Sequence, residues 1–203
     1  MAAAHDMPVV GLTGAIAAGK STALETLGRL GAATLSADAV VHDLLGTERV
    51  RDVLVGRWGR EVAPDGTLDR ARVGEIVFAH PEELDWLEAT LHPLVGERII
   101  EWRRGLEAGT EVAVVEVPLL FETGMDEVFD ATIAVVAPDD MRVERAGARG
   151  TGDLEARAGR QLSQEEKAKR ATHVVSNEGD VAALERELRR IWPELAAAGG
   201  GEP

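Results

Sequence analysis

Apolar residues recur along this chain with two different spacings. Short, nearly continuous apolar runs occupy residues 9–13, 32–36, 112–117, 131–137 and 172–176. Runs of that length predict strands buried on both faces, the pattern of a parallel sheet covered by helices. Between them the spacing changes to that of a helix. Residues 21–30 place Leu24, Leu27 and Leu30 on one face, and 37–45, 48–58, 69–80 and 81–106 read as further helices. The last is an amphipathic series through Leu84, Leu87, Leu91, Leu94, Val95, Ile99 and Trp102,. The alternation predicts an α/β fold, a five-stranded parallel sheet with helices on both faces.

The spacing of the strands is uneven. No strand pattern occurs between Ser36 and Val112, an interval too long for an ordinary crossover,. Residues 37–107 are therefore expected to form a helical subdomain over the carboxyl edge of the sheet. Residues 7–36, 108–140 and 171–195 supply the sheet core, and 141–170 a mobile cover with a Gly-Thr-Gly hinge near Gly150. Residues 1–6 and 196–203 are expected to be disordered tails.

The first strand and first helix bracket Gly14-Ala15-Ile16-Ala17-Ala18-Gly19-Lys20-Ser21. This fits the phosphate-binding pattern of glycine, four free residues and Gly-Lys-Ser, in the strand-to-helix context the pattern requires. Backbone N–H groups and the positive end of a helix dipole converge at such a turn, so an anionic phosphate binds there. Lys20 reaches the outer phosphates, and the Ser21 hydroxyl completes a magnesium shell.

Composition narrows the picture. The chain has 203 residues, no cysteine and a formal net charge of −14. Disulfides and cysteine-based metal sites are excluded, and broad nucleic-acid binding is disfavoured. No apolar run is long enough to span a bilayer, and the first residues do not form a signal peptide, so a cytoplasmic location is expected. The 142–170 segment reverses the balance, with a local excess of three positive charges. A basic cover over a phosphate site accounts for that better than scattered solvated lysines and arginines.

Further residues stand where ligands bind in open α/β sheets, at the carboxyl ends of the strands. Asp38 follows the second strand; general base, partner of the magnesium shell and helix cap all fit it. Glu116 ends the third strand, where either a metal role or a paired strand-end carboxylate fits. Leu119, Leu120 and Phe121 fit core positions or the wall of an apolar substrate pocket. Arg149 and Arg157 flank the hinge, and guanidinium groups there fit phosphate oxygens. His92, before Pro93, reads first as a packing residue, and Asn177 as a base contact or a turn residue.

Taken together, these segments resemble dephospho-CoA kinase across nearly the whole chain. The match is carried by residues 11–14 through Ser21-Thr22, Ala37-Asp38, and Asp65-Gly66-Thr67-Leu68-Asp69-Arg70. It continues in Leu91-His92-Pro93-Leu94, Pro118-Leu119-Leu120-Phe121-Glu122, Arg157 with Gln161, and Asn177. The resemblance implies a P-loop kinase core with a helical substrate domain and a lid. It implies ATP-dependent phosphorylation of the ribose 3′-hydroxyl of dephospho-CoA, giving CoA and ADP, with Mg2+ and as a monomer or small homo-oligomer. By the same resemblance, Asp38 is the base and Lys20, Arg149 and Arg157 attend the phosphoryl group. ATP lies on Gly14, Ala17, Ala18, Gly19, Lys20, Ser21, Thr22, Arg157 and Asn177. Dephospho-CoA meets Asp38, Arg70, His92, Pro118, Leu119 and Leu120, and Ser21 serves the metal, with Glu116 a further candidate from its strand-end position alone.

The loop departs from the family's usual Gly-Gly-Ile-Gly-Ser-Gly-Lys-Ser at Ala15, Ala17 and Ala18. A left-handed alanine carries about 1–2 kcal/mol of strain, whereas alanine at negative φ stiffens the loop by about 0.4–1 kcal/mol. Another small-molecule kinase of this fold, of shikimate or nucleoside type, is the nearest alternative, followed by an inactive CoA-binding module. A guanine-nucleotide switch lacks its Asn-Lys-x-Asp segment, since Asn177 is the only asparagine.

Overall fold

The structure, a computed structural model, describes residues 7–148 and 161–200. The expected strands are β1 (Val9–Gly14), β2 (Ala33–Ser36), β3 (Ala113–Glu116), β4 (Ala131–Val136) and β5 (His173–Ser176). All pair in parallel, in the order β2-β3-β1-β4-β5. Their carboxyl ends therefore share one edge, where Glu116 lies opposite Leu12 on one side and Ser36 on the other.

The chain divides into two compact units, Ala37–Gly105 and the sequence on either side of it. In the sheet unit, α1 (Lys20–Leu30) and α8 (Val181–Ala197) share one face of the sheet. Val10 and Leu12 of β1, Ile133 and Val135 of β4, and Leu27 and Leu188 of the two helices form a single apolar cluster. Between β4 and β5 lie α6 (Asp139–Ala148) and α7 (Gln164–Arg170), and α7 packs on β4 and β1. A methyl group added at Gly11 would approach the side chains of Leu120 and Phe129 to 3.0 Å. Glycine is what lets the 118–122 loop lie close against β1.

The insertion unit contains α2 (Ala37–Leu45), α3 (Glu48–Trp58), a short 3-10 turn (Arg60–Val62), α4 (Arg70–Ala79) and α5 (Pro81–Arg104). The helices start where the side-chain chemistry places them. Thr47 Oγ1 accepts from Val50 N at 3.4 Å, and Asp69 accepts from Ala71 N and Arg72 N at 3.0 and 3.1 Å. Such caps satisfy N–H groups that have no partner inside a helix. Val40, Leu44, Val73, Val77, Leu87 and Leu91 are buried in this unit. Pro93 lies inside α5 without ending it; it stands on the exposed side of the helix, where water can satisfy the carbonyl it leaves unpaired,.

Residues 196–200, expected as part of a disordered tail, instead carry regular structure. Helix α8 runs to Ala197 and a 3-10 turn continues to Gly200. Leu195 is fully buried and Ala198 packs on the same cluster, so the core holds this end in place. The expected tails at 1–6 and 201–203 lie outside the described residues.

Candidate active site

The phosphate loop joins β1 to α1 at the middle of the sheet. Gly14 and Gly19 have positions that a side chain cannot fill. A Cβ on Gly14 would lie 2.5 Å from the Val135 carbonyl oxygen, and Gly19 has φ 101° with the Asn177 amide where its Cβ would go. Among the described residues Ala17 alone is a non-glycine at positive φ, at 60°. Ala15 and Ala18 are buried and adopt ordinary backbone angles. The strain therefore falls on one alanine of the three, about 1–2 kcal/mol.

Ala17→Gly is accordingly expected to stabilise the protein. Relief of the left-handed strain exceeds the roughly 0.4–1 kcal/mol entropic cost of glycine. At about 2–4 °C per kcal/mol for a chain of this size, the melting temperature should rise by about 1–3 °C. Thermal unfolding followed by circular dichroism tests this, and a fall would mean that Ala17 carries no strain.

Two long-range contacts brace the loop, and a third supports one of them. Asn177, which follows β5 and is buried, donates from Nδ2 to Ala18 O at 2.8 Å. Arg142 of α6 donates from Nε to Ile16 O at 3.0 Å and pairs with Asp139 at 2.7 Å. Arg145, one turn on, donates to Asn177 O at 3.3 Å, while its Nη1 is buried with no hydrogen-bond partner among the described residues. Lys20 Nζ donates to Gly14 O and Ala15 O at 3.1 and 3.2 Å, which holds the ammonium over the loop. Ser21 is exposed in the first turn of α1, which contains no acidic residue. Beside the loop lies a pocket of about 360 Å3, walled by Ala15 and Ile16 on one side and Gln161, Leu162 and Ser163 on the other.

The 118–122 loop is more buried than an acceptor-facing wall. Leu120 has no exposed surface and Phe121 almost none, so both are core residues; Leu120, expected at the acceptor, packs against Gly11 instead. Pro118 and Leu119 are half-buried. The Pro118 carbonyl accepts from Thr13 Oγ1 at 3.2 Å and from Lys167 Nζ at 2.6 Å. Lys167, on α7, is entirely buried, and its ammonium also meets Glu122 Oε1 at 2.8 Å and Thr13 Oγ1 at 3.3 Å. Burial pushes this lysine below its ordinary pKa, and Glu122 opposes that shift,. Glu122 Oε1 also accepts from Leu162 N at 2.8 Å.

In the insertion unit Asp38 is exposed in the first turn of α2, one residue inside the helix rather than at its cap. His42 lies one turn further along. Arg70 donates from Nη2 to the His42 carbonyl at 3.2 Å, and its Nη1 meets the His42 ring. His92 is exposed on α5 between the buried Leu91 and Leu94, so it is not the packing residue its context predicted. Glu116, at the end of β3, is buried. Asn177 has its amide bonded to the phosphate loop and its carbonyl to Arg145. Arg149 and Arg157 lie outside the described residues. Sequence reasoning placed Arg142, Arg145 and Lys167 only within a basic cover and Glu122 only within a motif, and missed the contacts that each of them makes.

A protein-family model described as dephospho-CoA kinase matches residues 8–183, spanning the phosphate loop, the insertion and Asn177. The chain belongs to the dephospho-CoA kinase family. It is 41% identical over 190 residues to the dephospho-CoA kinase of Deinococcus radiodurans, covering 92% of this chain and 91% of that one. The Symbiobacterium thermophilum dephospho-CoA kinase is 38% identical over 205 residues, with 97% of this chain and 85% of the relative covered. Among solved structures, a dephospho-CoA kinase from Campylobacter jejuni superposes with TM-score 0.68 at 29% identity, covering 93% and 96% of the two chains. A shikimate kinase from Acinetobacter baumannii, at TM-score 0.54 and 14% identity, covers 94% of this chain and 95% of its own, and shares the fold alone. Dephospho-CoA kinase relatives thus match this chain along its length, whereas the shikimate enzyme matches only its architecture.

Proposed function

We propose that this chain transfers the γ-phosphoryl group of ATP to the ribose 3′-hydroxyl of dephospho-CoA, giving CoA and ADP. The observation that carries this reading is the family match over residues 8–183, which includes the insertion as well as the phosphate loop. The loop alone would fit any kinase of this fold.

Phosphoryl transfer depends mainly on positioning and on neutralising charge. Lys20 leaves its loop carbonyls for the outer phosphates, and the α1 N-terminus supplies amide donors to them. Gly14, Ala17, Ala18, Gly19 and Thr22 shape or flank that cradle, with Asn177 bracing it. Asp38, exposed and close in sequence to the end of β2, accepts the proton of the attacking hydroxyl. Arg70, tied to His42, is a cation suited to a phosphate of the acceptor, and His92, Pro118 and Leu119 are the remaining acceptor contacts. Arg149 and Arg157 supply positive charge to the transferring group.

Among the described residues no cluster of three or more histidines and carboxylates is arranged to hold a metal ion. The donor set, Ser21 with Glu116 near the same edge, fits a magnesium carried largely by the nucleotide's own phosphates. Bound there, it neutralises phosphate charge. Among the described residues no helix is long and apolar enough to cross a membrane; a cytoplasmic location and a monomer or small homo-oligomer complete the proposal.

The test is ADP formation with dephospho-CoA, adenosine, shikimate or no acceptor. Selective turnover of dephospho-CoA is expected. Tight CoA binding without ADP formation would instead indicate an inactive binding module.

A further inference from the structure

Lys167 is the largest fully buried side chain of the described residues, and no step of the proposed chemistry uses it. A lysine ammonium has three protons and no acceptor. All three protons find partners here: Pro118 O, Glu122 Oε1 and Thr13 Oγ1. These partners belong to segments far apart in the chain. Thr13 is the residue before the phosphate loop, Pro118 opens the loop after β3, and Glu122 closes that loop. Glu122 in turn accepts from the Leu162 backbone, one wall of the pocket beside the phosphate loop.

Stability does not explain this arrangement well. Apolar residues of similar volume often replace a buried ion pair at no cost to stability. The pair is also incompletely satisfied, because Glu122 Oε2 is buried with no hydrogen-bond partner among the described residues. A purely stabilising plug would pair that oxygen or dispense with the charges.

We propose that Lys167 is a positioning residue for phosphoryl transfer. By holding Pro118, Thr13 and Glu122 together, it fixes the 118–122 loop and the Leu162 wall relative to the strand that carries the phosphate loop. The 118–122 loop and Leu162 then keep one register with Lys20 when the ligands bind. This inference rests on the kinase reading above. Its signature is a fall in kcat with both KM values nearly unchanged, because misplacement acts on the reacting geometry more than on binding.

Lys167→Met and Glu122→Gln are to be compared with wild type and with Leu188→Ala, a cavity in the α8 cluster on the other face of the sheet. Turnover is measured with ATP and dephospho-CoA at a temperature where far-UV circular dichroism shows each protein folded. In Lys167→Met kcat should fall by about 10–100-fold with both KM values within about threefold. Glu122→Gln should lose at least about fivefold, and the double variant should fall no further than Lys167→Met. Leu188→Ala should lower the melting temperature while keeping kcat.

A kcat within about twofold of wild type in folded Lys167→Met overturns the inference. If that variant does not fold, the same result in Glu122→Gln overturns it. These outcomes, seen with an active wild type, leave the kinase reading standing. A wild type that makes no ADP with dephospho-CoA overturns the reading and this inference together.

Discussion

Lys20→Met should lose turnover by about 10²–10³-fold, the usual cost of removing one preorganised donor from a developing charge. The ammonium now rests on the carbonyls of Gly14 and Ala15, two bonds that hold it over the loop. Methionine fills much the same volume without the charge, so the loop should survive. Gly14 and Gly19 keep their backbone, and Asn177 still bonds Ala18. Steady-state turnover with ATP and dephospho-CoA, alongside thermal unfolding, separates the two effects. A variant within tenfold of wild type would remove Lys20 from the phosphoryl site; a large loss of thermal stability would make it a structural strut.

Asp38→Asn should cut kcat by at least about 10²-fold, as loss of a positioned base does. Its carboxylate is exposed in the first turn of α2, so folding depends on it weakly. An acidic group in a first turn contributes about 0.3–1 kcal/mol through the helix dipole, and asparagine forfeits only that. The KM for ATP should hold steady, because the nucleotide's phosphates are bound by the loop after β1. Near-normal turnover would leave Asp38 as a favourable charge at a helix start and move the base elsewhere.

The strands were legible because each is a short apolar run, and pairing in parallel follows once helices separate them. The loop was legible because its glycines and lysine have a fixed spacing. Which alanine bears strain was not, since a backbone angle is set by the whole turn rather than by residue type. Lys167 was hidden by its neighbours: Glu165, Glu166, Lys169 and Arg170 are exposed, and the run reads as a solvated helix. Only the fold of α7 onto β1 and β4 reveals which lysine points inward. Asn177 and Ala18 meet across 159 positions of sequence, a distance no local pattern spans. His92 is different, because its exposure was readable. Leu91, Leu94 and Val95 set the helical phase of α5, and that phase turns position 92 outward,.

The strand order has a consequence for the chain as it is made. β1 lies at the centre of the sheet, yet its neighbours are Ala113–Glu116 on one side and Ala131–Val136 on the other. The nucleotide cradle therefore cannot be assembled before the ribosome has passed both of them, at about 5–20 residues per second. Over that interval Val9, Val10 and Leu12 form an apolar segment without its sheet partners, while residues 37–105, which make one compact unit, have already been synthesised in full. The most conspicuous sequence signature of the protein belongs to a structure that only strands synthesised a hundred and more residues later can complete.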